Sequence, residues 1–226
     1  MVGGACVSQE LCRKIKNIFP TLSANIVYGS SEAEPIAFAS IDEFLESKSF
    51  GLLLGKQVPC IEVKILPLEV SQMNECVYEF GEILITGPHV VKEYIDNHPM
   101  NKVLKVKDGE RVWHRTGDIG YLDEEKRLWL LGRLNDRIIR NNKLIPCYGF
   151  EEDISRLNGV SKAAFVGDKL YLQIDQGFEE SNVLDYLNLH EFSGFQIIVH
   201  DQLPVDRRHF SRVDRHALRH NESKSH

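Results

Sequence analysis

WHRTGDIGYLDEEKRLWLLGRLNDRIIR, residues 113–140, decides how this chain folds. A β-forming run leads to Thr116-Gly117-Asp118, which sets a carboxylate beside a flexible glycine at the end of a strand. Asp123-Glu124-Glu125 supplies the turn of a hairpin, and Leu128, Leu130 and Leu131 the returning apolar strand. Gly132-Arg133 then puts a guanidinium where that strand ends, ahead of the apolar pair Ile138-Ile139. As bare chemistry, a carboxylate and an arginine joined by one hairpin are more often an ordinary surface ion pair than a site.

Upstream, Ser8 is placed to cap a helix over SQELCRKIKNIF, with Leu11, Ile15, Ile18 and Phe19 on one face and Pro20 at its end. Asn25 to Tyr28 reads as a short buried strand running into Gly29-Ser30-Ser31-Glu32, where serine and glutamate after a glycine also fit a helix cap. Residues 41–47 form a short helical segment. GLLLGKQVPCIEVKIL alternates through Ile61, Val63 and Ile65, residues 80–88 repeat the strand pattern, and residues 89–97 read as a helix. Downstream the character changes. A helix over 150–157, strands over 160–167 and 169–174, a helix over 183–189 and a strand over 196–199 make a small α+β unit whose boundary falls at Leu134-Asn135-Asp136. The polar C-terminal RHALRHNESKSH reads as frayed.

The 226 residues suffice for one good core, or one core and a small second domain. A net charge of −6 gives no support for nucleic-acid binding, which asks for a basic surface. No apolar run reaches the length of a membrane span, and the N-terminus lacks a secretory signal pattern. Five cysteines (Cys6, Cys12, Cys60, Cys76, Cys147) are scattered without a CxxC pair, which argues against a zinc site or a disulfide framework and makes a reducing cytoplasm the default.

The order of these stretches is more specific than any one of them. WHRTGDIGYLD followed by LWLLGRLNDRII resembles the paired TGD and GR motifs of the adenylate-forming, AMP-binding superfamily of acyl-CoA synthetases, peptide-synthetase adenylation domains and luciferases. YGSSE, after Gly3-Gly4-Ala5 and its helix, resembles the YGxTE motif, with serine for threonine. GLLLGKQVPCIEVKI resembles GxxxGxPxPGxEVxI, with Cys60 where glycine is common, and FGEILITGP resembles GELxIxGP. KLIPCYGFEEDI resembles NIYPxEIE only roughly, with Gly149 where a glutamate is frequent. LPVDRRHFSRVDRHAL resembles the terminal PxxxxxGKxDR loop in the longer form of the branch that contains olefin β-lactone synthetases.

The resemblance implies an α/β fold plus an α+β fold. Residues 1–134 would be the end of the large AMP-binding domain with its β-rich subdomain, and residues 135–226 the small mobile lid, hinged at Asn135. An asparagine suits a hinge because it tolerates left-handed backbone. Tyr28 would pack on the adenine of ATP or AMP, Asp118 would hold the ribose hydroxyls, and Arg133 would support the same sugar. Ser31 would lie near the acyl-phosphate, Glu32 would help hold Mg²⁺, and Arg212 would stand where a lysine binds the substrate carboxylate and α-phosphate, with Ser211 in place of a glycine. Composition alone reads the arginines there as a solvated basic face or a patch for an anionic partner.

The implied function is activation of a small carboxylic acid as its acyl-adenylate, followed by transfer to coenzyme A, a carrier-protein thiol or another acceptor. No GxxxxGK[ST] or serine-, threonine- and glycine-rich phosphate loop is present. A chain without those amides and that lysine is expected to be inactive alone and to need a missing N-terminal half or an oligomeric partner. The alternative is a non-catalytic nucleotide- or partner-binding module derived from the same family.

Overall fold

The computed structural model describes residues 1–4, 7–48, 51–69, 72–73, 77–206 and 213–222. The chain opens with α1 (Gln9–Ile18), β1 (Asn25–Ser30), β2 (Ala33–Ser40), α2 (Ile41–Glu46), β3 (Leu52–Gln57), β4 (Glu62–Pro67), β5 (Gln72–Met73) and β6 (Phe80–Thr86). It continues with α3 (His98–Leu104), β7 (Lys105–Asp108), β8 (Arg111–Leu122), β9 (Arg127–Arg133) and a 3-10 turn at Leu134–Asp136. The remainder is β10 (Ile138–Arg140), β11 (Lys143–Ile145), α4 (Cys147–Ile154), β12 (Val160–Val166), β13 (Lys169–Ile174), α5 (Glu180–Leu189), β14 (Gln196–His200) and α6 (Arg215–Glu222).

An eight-stranded sheet runs β1-β2-β3-β9-β8-β6-β4, with β7 paired to β8. Its centre is the β8–β9 hairpin. Asp123 organises that turn: it is 7 % exposed and accepts from the Glu125 and Arg127 N–H groups, the Arg127 guanidinium and the Trp129 indole. Trp129 stacks on Tyr121 and Tyr121 on Tyr78, so the aromatic layer and the turn fix one another. Two smaller sheets follow, β10-β11-β5 and β12-β13-β14, the latter with α5 as the crossover between its parallel members β13 and β14. The molecule thus combines a mixed sheet-and-helix first part with a small α+β unit. No described helix is long and apolar enough to cross a membrane.

Four local expectations are corrected. Residues 89–97 are not helical; Asn97 instead caps α3 through the Met100 N–H, with a proline in the first turn. Asn101 holds the preceding segment by bonding both the N–H and the C=O of Tyr94, an alternative to helical pairing. Thr116-Gly117-Asp118 lies inside β8 rather than at a strand end. The α1 helix forms with its Ser8 cap, but Leu11, Ile18 and Phe19 are exposed, and Cys12 and Gln9 are its buried residues. The C-terminal segment is helical through Glu222, because Arg215 and Leu218 are buried against the β12 side of the small unit.

Candidate nucleotide site

Asp118 and Arg133 face each other across β8 and β9 in register. Arg133 Nη1 lies 2.9 Å from Asp118 Oδ1, and the Tyr28 hydroxyl, from the neighbouring β1–β2 hairpin, donates to Asp118 Oδ2 at 2.7 Å. The carboxylate is 4 % exposed, whereas the Arg133 side chain is 40 % exposed. Burial, reinforced by the Asp118 charge, pushes the Tyr28 hydroxyl well above its ordinary value, so it stays a donor. Three residues separated by up to 105 positions (133 − 28) therefore meet at one acidic centre.

A bulge aims the aspartate. Leu84 pairs with Arg115 and Glu82 with Ile119, so Ile83 alone on β6 spans residues 116–118 on β8. Gly117 takes φ 71°, which a side chain would strain. The Thr116 hydroxyl donates to the Ile83 carbonyl and accepts from the Asp118 N–H, closing the bulge on itself. Glu82, only 2 % exposed, accepts from the Gly117 N–H at 3.3 Å and from the Arg115 guanidinium.

Ser31 and Glu32 form the two-residue tip of the β1–β2 hairpin, with Ser30 paired to Ala33, so the helix-cap alternative is excluded. Ser31 is exposed. Glu32 lies in a second cluster: Tyr94 donates to its Oε1 at 2.9 Å, and Lys105 Nζ lies 3.2 Å from His114 Nδ1. Burial disfavours the Glu32 charge, but the Tyr94 hydroxyl and the local N–H and Ser30 bonds outweigh it, so its carboxyl lies below the usual range. Burial, with help from Glu32, lifts Tyr94 to about 12. Burial lowers His114, and the Lys105 charge lowers it further. Burial also lowers Lys105, against the opposing pull of Glu32.

The chain therefore brings Tyr28, Asp118 and Arg133 into direct contact and sets Glu32 with Tyr94, Lys105 and His114. Asn135 is exposed in the 3-10 turn; it is not among the residues with left-handed backbone, which near this joint are Asn141 (φ 50°) and Asn142 (φ 61°) in the β10–β11 turn. Arg212 and Ser211 lie outside the described residues. Sequence reading missed Glu82, Tyr94, Lys105 and His114. Only Glu82 carried a signal, as the one carboxylate in an otherwise apolar strand.

A sheet that gathers a buried aspartate, an arginine and a tyrosine, followed by a small α+β unit, is the arrangement to compare with known proteins. Residues 1–95 match the family model for AMP-binding enzymes. The chain is 27 % identical to an olefin β-lactone synthetase of Stenotrophomonas maltophilia over 95 % of its own length and 45 % of the relative's. It is 34 % identical to a probable 4-coumarate–CoA ligase of Dictyostelium discoideum over 66 % of this chain and 24 % of the relative. Among solved structures it resembles the o-succinylbenzoate CoA synthetase of Bacillus subtilis in complex with its acyl-adenylate intermediate: TM-score 0.73, 25 % identity, 96 % of this chain and 44 % of that one. The amide bond synthetase McbA from Marinactinospora thermotolerans shares the fold at TM-score 0.76 and 21 % identity, again over 45 % of that chain. The chain is thus similar to the C-terminal portion of adenylate-forming, AMP-binding enzymes, and spans less than half the length of the relatives it matches.

Proposed function

We propose that this chain is the C-terminal part of an ATP-dependent ligase that activates a small carboxylic acid as an acyl-adenylate. The observation that carries this reading is the buried Asp118 held between Tyr28 and the half-open Arg133. A carboxylate so placed accepts ribose hydroxyls through charge-assisted bonds, and the exposed guanidinium presents donors to the same sugar. Tyr28 would lie against the adenine and keep the carboxylate aligned. Glu32 suits a hard cation: Mg²⁺ takes one or two carboxylates and fills its shell with phosphate oxygens and water, so one ionised glutamate is enough from the protein. When bound, that ion would neutralise phosphate charge as the acid attacks. The acceptor is a thiol, of coenzyme A or a carrier protein, or another nucleophile. Arg212 would carry the phosphate-binding role of the terminal loop.

In this reading residues 135–226 are a lid that reorients about Asn135, and the phosphate loop comes from a complementary N-terminal half. Leu11 and Ile18 of α1, with Phe19 and Leu22 just after it, leave apolar side chains exposed, which suits burial against that half. The same exposed side chains favour the alternative, a partner-binding module without catalysis. The free cysteines Cys12, Cys60 and Cys147 suit a reducing compartment, the cytoplasm here.

Radiolabelled pyrophosphate exchange over a panel of acids, with and without an upstream half from a close relative, tests the proposal. The expected result is exchange with both halves and none with the chain alone. Absence of exchange in the completed protein favours the non-catalytic module.

A further inference from the structure

Cys60 lies in the turn between β3 and β4. Its exposed Sγ lies 3.7 Å from Nδ1 of His89. The other ring nitrogen, Nε2, lies 2.9 Å from the carbonyl oxygen of Pro35. A carbonyl can only accept, so Nε2 carries the ring proton and the lone pair of neutral His89 sits on Nδ1, facing the sulfur. Nucleophile, base and the group that orients the base are thus in line, the arrangement that activates cysteine in unrelated enzymes.

The pair is held firmly. A side chain at Gly87 would come within 2.5 Å of the Cys60 carbonyl oxygen, so the two segments approach as closely as backbone allows. Val91, two residues beyond His89, donates its N–H to the Glu32 carbonyl at 2.8 Å, which ties the same segment to the β1–β2 hairpin. The other described thiols contrast with this one. Cys12 and Cys147 are buried; burial lifts Cys12 to about 11 and pushes Cys147 up further still, and neither has a base in line.

We infer that Cys60 and His89 form a nucleophilic pair that reacts with small disulfides, making Cys60 a site of reversible S-thiolation. The step balances as an exchange. The Cys60 proton passes to His89 Nδ1, and the thiolate attacks one sulfur of glutathione disulfide. The Cys60–glutathione S–S bond forms as the original one breaks, and the departing glutathione thiolate takes the proton back from His89. This inference is independent of the nucleotide-site reading.

Site-resolved mass spectrometry of the intact chain, exposed to glutathione disulfide and separately to iodoacetamide, gives the rate at Cys60 itself. The folded chain should be modified there at least about ten-fold faster than the urea-unfolded chain at the same pH, a modest share of what a positioned base supplies. His89→Gln keeps an N–H for the Pro35 carbonyl and removes the proton acceptor, so its rate should fall to the unfolded level. A folded wild-type rate no faster than the unfolded one overturns the inference, whether or not the variant folds. So does a folded His89→Gln chain that reacts as fast as wild type.

Discussion

Two arginine–carboxylate pairs with a largely buried carboxylate lie on either side of the 3-10 turn in sequence, and they differ in one respect. In the small unit Arg215 and Glu151 are both sealed, with side chains 6 % and 12 % exposed. Arg215 bonds both Glu151 oxygens at 2.6 Å and lies over the Tyr148 ring, while the Phe165 N–H donates to Glu151. In the large sheet Asp118 is sealed but Arg133 is not. A pair closed on all sides has its donors and acceptors spent on the fold. A pair with an open arginine keeps a charged edge for something that arrives from solvent. The first fastens α6 to α4 and β12; the second is the pair we propose as a nucleotide site.

The largest expected effect comes from the sealed pair. Arg215→Ala leaves Glu151 charged and buried, and should cost about 3–5 kcal/mol of unfolding free energy; urea denaturation measures it. The corresponding Arg133→Ala should cost less stability, because water can enter where its half-open guanidinium stood and Tyr28 still donates to Asp118. Equal losses for the two variants would erase the distinction drawn between the pairs. Next is Asp118→Ala, expected to weaken AMP by about one to two decades, since charge-assisted bonds contribute roughly 1.5–3 kcal/mol each and water recovers part of that. Calorimetry on the chain completed with its upstream half reads this directly.

The hairpin turn offers a pH test. Burial alone would raise Asp123, but the Trp129 indole, the Arg127 N–H and the Arg127 guanidinium outweigh it and hold the carboxyl below its ordinary value. A folded value below the unfolded one, about 3.9, contributes stability above that pH and loses it as pH falls through the lower folded value. Asp123→Asn should therefore lower stability at neutral pH by about 1–3 kcal/mol and flatten the acid limb of the stability profile. An unchanged acid limb would assign that limb to other carboxylates. Tyr28→Phe removes one charge-assisted bond to Asp118 and should cost about 1.5–3 kcal/mol in stability at most, less whatever Arg133 recovers by facing the same carboxylate.

How much of this was legible depends on sequence distance. The β8–β9 hairpin, its turn and the Asp118–Arg133 pairing were readable because one hairpin carries them, and alternation and turn chemistry are local signals. The small unit was readable for the same reason: β12 and β13 are sequence neighbours. His114 and Lys105 were not, since β7 itself went unrecognised and a histidine in a strand looks like any other. Glu82 meets Gly117 from 35 residues away, and nothing local announces a bulge with Gly117 at positive φ. The α1 face misled because periodicity tells which residues share a side, not whether anything covers it. Residues 89–97 misled because Asn101 satisfies Tyr94 through its side chain, a bond no periodicity records.

The central claim is that Asp118, between Tyr28 and Arg133, holds the ribose of an adenine nucleotide. Calorimetry on the completed protein with AMP and with its dideoxy analogue, which lacks both ribose hydroxyls, tests it most directly. The account predicts that wild type prefers AMP by about one to two decades and that Asp118→Ala loses the preference. Equal affinity of wild type for the two nucleotides, or no binding of either, would contradict it.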